Sequence, residues 1–79
     1  MNSDTKLKLD QAQSVLERCL MWETRFKAEM QTLRLTAHHL SNAKFVAQYS
    51  ALENQLRVQE RWTAHYREKI RQLLAEDSQ

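Results

Sequence analysis

The chain has 79 residues, 28% of them charged, and contains no glycine and no proline. Lacking both, it has none of the residues that normally build tight turns, bulges or phosphate-cradling loops, so helix is nearly the only regular structure open to it. Its formal net charge of +2, with both signs interspersed, is weaker than the concentrated positive charge of a dedicated nucleic-acid binder.

Two further bounds concern compartment. The longest apolar run, Cys19-Leu20-Met21-Trp22, falls far short of the roughly 20 residues of a spanning helix, so no membrane segment is expected. Residues Met1 to Lys6 carry neither the apolar core nor the small-residue cleavage site of a signal peptide. The single Cys19 excludes a disulfide framework within one chain and fits a reducing environment. Together these features predict a cytoplasmic protein.

In chain order, the polar segment Met1 to Thr5 predicts a helix start, with Ser3 or Asp4 as N-cap and a helix over about 4–38. Within it, Leu9, Ala12, Leu16, Cys19, Glu23, Phe26, Met30, Leu33, Ala37 and Leu40 recur at spacings of three and four, the a and d positions of a heptad begun at Leu9. This is a coiled-coil seam whose one polar member is Glu23. The seam loses register after Leu40, where Ser41 and Asn42 are both good N-caps. It restarts at Phe45 and continues through Tyr49, Leu52, Leu56, Gln59, Thr63, Tyr66, Ile70 and Leu73. With Ser41 as cap, Leu40 and Phe45 occupy the positions of a hydrophobic staple. A turn over about 39–43 and a second helix over about 42–76 follow, one continuous rod being the alternative.

Folded at Ser41, the seams match layer by layer. Leu9 falls opposite Leu73, Ala12 opposite Ile70, Cys19 opposite Thr63, Glu23 opposite Gln59, and Ala37 opposite Phe45. Small residues face large ones, as close packing requires. The one charged seam residue of the first helix meets an amide on the second, a polar layer that would penalise slipped registers. The fold predicted for residues 1–79 is a single all-α domain, a two-helix antiparallel hairpin of coiled-coil type. A single core this small supplies only about 3–5 kcal/mol, so completion to a helical bundle by self-association or by a partner is expected.

The same placement bears on chemistry. Glu23 has no second carboxylate or histidine near it, and His38 and His39 at the turn lie far from His65. No catalytic constellation, metal site, cofactor or small-molecule substrate is expected.

Several large residues are superfluous to the seam. Val15 and Trp22 on the first helix and Trp62 on the second occupy g positions, which face each other along one edge of an antiparallel pair. Neighbouring positions add Arg18, Arg25, Val58, His65 and Lys69. The opposite edge carries Leu20, Val46 and Leu74 among mixed charges. Tryptophan and arginine combine large contact area with directed polar groups and dominate binding hot spots. The edge of Val15, Arg18, Trp22, Arg25, Val58, Trp62, His65 and Lys69 is therefore the predicted partner-binding surface. The expected function is non-enzymatic, that of a small adaptor, chaperone or regulatory protein binding another helical protein or its own copy. The alternative is a dimeric helical nucleic-acid-binding regulator using Arg18, Arg25, Arg57, Arg61 and Arg71, against which the interspersed acids weigh.

Overall fold

The computed structural model describes residues 2–78. Among them the chain forms two long helices, α1 over Ser3–Leu35 and α2 over Asn42–Asp77, joined by a short 3-10 turn over Ala37–His39. The helices pack against each other as an antiparallel hairpin measuring 57 × 14 × 14 Å. Its radius of gyration is 17.7 Å, against about 12 Å for a compact domain of this length.

The cap of α1 differs from the sequence expectation. Asn2, with φ −78° and ψ 166°, accepts a hydrogen bond from the Thr5 N–H at 2.7 Å, so the N-cap is Asn2, not Ser3 or Asp4. Asp4 lies instead in the first turn, where its charge complements the positive end of the helix dipole.

α1 also stops earlier than the expected His38. The Thr32 hydroxyl donates to the Ala28 carbonyl at 3.1 Å and the Thr36 hydroxyl to the Thr32 carbonyl at 3.0 Å. Thr24 makes the same bond to the Leu20 carbonyl at 3.0 Å in the middle of α1 without breaking it, so these bonds accompany the helix end and do not by themselves cause it. Past Thr36 the ladder tightens: His39 N–H donates to Thr36 and Leu40 N–H to Ala37, each at 3.0 Å. Leu40 (φ −115°, ψ 149°) and Ser41 (φ −66°, ψ 155°) are extended and reverse the chain. These conformations are open to any L-residue, and no described residue has a positive φ. A 3-10 turn followed by two extended residues thus makes the reversal without glycine. Ser41 caps α2 as expected, accepting from the Lys44 N–H at 3.3 Å.

Every seam position from Leu9 to Leu40 and from Phe45 to Leu73 is buried or half-buried. Elsewhere among the described residues only Thr5, Val15 and Glu53 are withdrawn from solvent to that degree. Packing is tightest at the open end, where Leu9, Ala12 and Leu73 form a buried cluster with Tyr66 and Ile70 against it. This is the register that places Leu9 opposite Leu73 and Ala12 opposite Ile70.

The polar layer is built differently. Glu23 accepts a hydrogen bond from the hydroxyl of Thr63, one helical turn beyond the expected partner Gln59. Helix geometry explains the shift, because side chains lean toward the N-terminus of their own helix. In an antiparallel pair Glu23 therefore leans toward the open end and Thr63 toward the turn, and the two converge across the layer. The Thr63 hydroxyl also lies 3.0 Å from the Gln59 carbonyl. It has one proton to give, and the charged carboxylate is the stronger acceptor. Thr63 is the one polar residue among the buried side chains of the described residues.

A stability prediction follows from the revised partner. Thr63→Val keeps the shape and removes the donor, so it should destabilise the hairpin by about 1–2 kcal/mol. Gln59→Leu should be neutral or stabilising. Urea unfolding of both variants checks this, and a larger loss for Gln59→Leu than for Thr63→Val would return the partnership to Gln59.

Candidate interaction surface

The seam leaves one edge of the hairpin as a long apolar track, built from the g and c positions of both helices. Residues three and four apart on α1 carry Val15, Arg18, Trp22 and Arg25, and the same spacing on α2 carries Val58, Trp62, His65 and Lys69. Val15 is half-buried and the other seven are exposed. Trp22 is 43% and Trp62 50% exposed, a large area for indole rings on so small a protein.

The two tryptophans line one groove, whose walls are Val15, Arg18, Cys19, Trp22, Gln59, Trp62 and Tyr66. Toward the open end it continues into a groove lined by Lys8, Ala12, Val15, Arg18, Tyr66 and Lys69, among others. Toward the turn, Gln59 joins it to a third hollow formed with Phe26, Asn54, Gln55 and Val58. From Lys8 to Phe26 the track follows α1 for roughly 27 Å at 1.5 Å per residue.

Aromatic contacts hold its walls in place. Trp22 stacks on the seam residue Phe26 with ring centroids 5.6 Å apart, and Trp62 stacks on Tyr66 at 6.1 Å. His65 meets Trp62 edge-on at 5.8 Å. Cations lie over two of the rings: the Arg25 guanidinium is 5.1 Å from the Trp22 centroid and the Lys69 ammonium 5.9 Å from that of Tyr66. Each indole thus rests on a seam aromatic and turns its remaining surface outward.

Sequence reasoning missed how far the surface wraps around α1. A further concavity on the outside of that helix is lined by Leu20, Met21, Trp22, Thr24, Arg25 and Ala28, beside Glu17 and Arg18. Met21 is 71% exposed. Leu20, assigned to the opposite edge, therefore shares a hollow with Trp22, while Val46 and Leu74 do not line any of these grooves. The signal was present in the run Cys19-Leu20-Met21-Trp22, which crosses from the seam to the outer face because each residue advances about 100° around the helix.

Of the arginines considered for phosphate contacts, three have an acid one turn away on the same helix. Arg25 pairs with Glu29 at 3.2 Å, Arg57 with Glu53 at 3.8 Å, and Arg71 with Glu68. The Arg71 hydrogen bonds hold the exposed Glu68 carboxyl below the usual carboxylate range. Pairing of this kind disperses positive field over the outer faces of the helices.

Among the described residues no group of three His, Cys, Asp or Glu converges as metal ligands would. His38 and His39 stack on each other in the turn, with ring centroids 3.9 Å apart, while His65 lies along α2. No helix of the described residues is long and apolar enough to cross a membrane. No family model, curated protein or solved structure matches the chain.

Proposed function

We propose that this protein is a non-enzymatic interaction module, an adaptor, chaperone or regulator that binds another helical protein through its tryptophan edge. The observation that carries the reading is that Trp22 and Trp62, neither needed to close the seam, line one groove and keep about half of their surface exposed. The half-exposed seam supports it too: among the apolar residues of the described chain only Leu9, Ala12, Cys19, Leu33 and Leu73 are buried. A third or fourth helix laid along this edge would complete a bundle. The lone buried thiol of Cys19 fits work in a reducing, cytoplasmic setting.

Photo-cross-linking tests the reading. A benzophenone side chain at Val58 should capture a protein partner in cells, whereas the same group at Val46 should not. Equal capture from both positions, or capture from Val46 alone, would place the working surface elsewhere. Affinity for the captured partner should vary only modestly with salt. A steep log-linear loss of affinity between 50 and 200 mM salt, on the order of a thousandfold, is the signature of counterion release from nucleic acid and would replace the adaptor with the nucleic-acid regulator.

A further inference from the structure

We infer that the groove takes an acidic amphipathic helix of a different protein as the third helix of the bundle. The inference rests on the interaction reading above and adds the chemistry of the partner. Its first support is electrostatic. Two of the three connected segments of the groove are lined by cations, Lys8, Arg18 and Lys69, the third is uncharged, and no carboxylate is among the lining residues of any of them. Arg25 lies at the lip beside Trp22, paired at 3.2 Å with Glu29 one turn further along the same edge. The floor is apolar and aromatic, and the charged residues that line the first two segments are all cations. A helix matching it presents an apolar stripe flanked by Asp and Glu.

The second support is length and area. A track of roughly 27 Å accommodates about 18 helical residues, or five turns. The hairpin exposes 6094 Å² at a mass of 9.4 kDa, whereas compact monomers of that mass expose about 5,000 Å². The excess, roughly 1,100 Å², is of the order of the 800 Å² that each partner buries in a standard interface. The excess comes from the elongated shape of the hairpin, and one helix laid along this edge would cover area of that order.

The third support is that a second copy fits the cation-lined segments poorly. A twofold axis that paired those segments of two copies would set Lys8, Arg18 and Lys69 against the same cations. Like charges brought together in a closing interface disfavour it. An acidic helix reverses the sign of each of those contacts.

The test uses the full chain and two synthetic 18-residue helical peptides without tryptophan. Both carry a leucine stripe, flanked by glutamate in one and by lysine in the other. Trp22 and Trp62 are the only tryptophans, so their fluorescence reports occupancy directly. The glutamate peptide should bind saturably at least tenfold more tightly than its lysine twin, with affinity weakened by salt. Arg18→Glu combined with Lys69→Glu should reverse the preference, while circular dichroism shows the helices intact. Equal affinity for both peptides would overturn the acidic partner and leave the tryptophan edge as a docking surface. Failure of both peptides, with a dimer that dissociates on Trp22→Ala and Trp62→Ala, would overturn it in favour of a second copy. Failure of both with a monomer indifferent to those substitutions would overturn the inference and the interaction reading together.

Discussion

The double substitution Trp22→Ala and Trp62→Ala is expected to lower affinity for a partner helix thirtyfold or more while leaving helical content unchanged. The magnitude comes from hot-spot energetics. Truncating an interface tryptophan costs about 2 kcal/mol or more, and 2 kcal/mol is roughly a thirtyfold change in dissociation constant. The fold should tolerate the change, because both indoles stand on the seam aromatics Phe26 and Tyr66 from outside and are about half exposed. The control must avoid the hollow that Leu20 shares with Trp22. Val46→Ala with Leu74→Ala removes exposed apolar atoms from the other edge and should leave affinity nearly intact. Isothermal titration with the cross-linked partner or the glutamate peptide reads both variants. A greater loss in the control would move the working face to the edge of Val46 and Leu74.

Leu73→Ala is expected to cost about 2–5 kcal/mol, the range for deleting most of a buried leucine. That is comparable with the whole stability of a single core this small, about 3–5 kcal/mol. Leu73 belongs to the cluster with Leu9 and Ala12 that locks the open end of the hairpin, against which Tyr66 and Ile70 pack. Losing it should abolish a cooperative thermal transition in the isolated chain, with helical signal decaying broadly instead. Its neighbour Leu74 is 46% exposed, and Leu74→Ala should change stability by only about 0.5 kcal/mol or less. Thermal melts followed by circular dichroism compare the two directly. Similar losses at both positions would mean that Leu73 is not held between the helices and that the open end frays.

The hairpin makes both experiments sensitive for one reason. Two helices can bury only a narrow stripe each, so most seam residues, including Leu16, Phe26, Met30, Leu56 and Ile70, remain half-exposed. Stability is concentrated in the few residues that are fully covered, and binding potential in the large ones that are not.

The heptad spacing alone determined which residues turn inward, because a helix repeats every 3.6 residues and only one stripe of each helix can meet the other. It also located Ser41 as the cap of α2, since the register break and a side-chain acceptor coincide there. The tertiary structure decided what depends on direction and reach. Glu23 meets Thr63 because both side chains lean toward their own N-termini, a geometry that layer-by-layer pairing of residue numbers does not contain. α1 ends at Leu35 and gives way to a 3-10 turn over Ala37–His39, a change of backbone ladder that apolar periodicity does not register. Placement on facing heptad edges predicted that Trp22 and Trp62 would be neighbours. Only the packed hairpin showed that they share one groove, that Lys8, Arg18 and Lys69 line its open-end portion without a carboxylate among the lining residues there, and that Leu20 and Met21 extend the surface around α1. The distance between side chains on separate helices is set by how closely the two backbones approach, and that is a property of the packed pair.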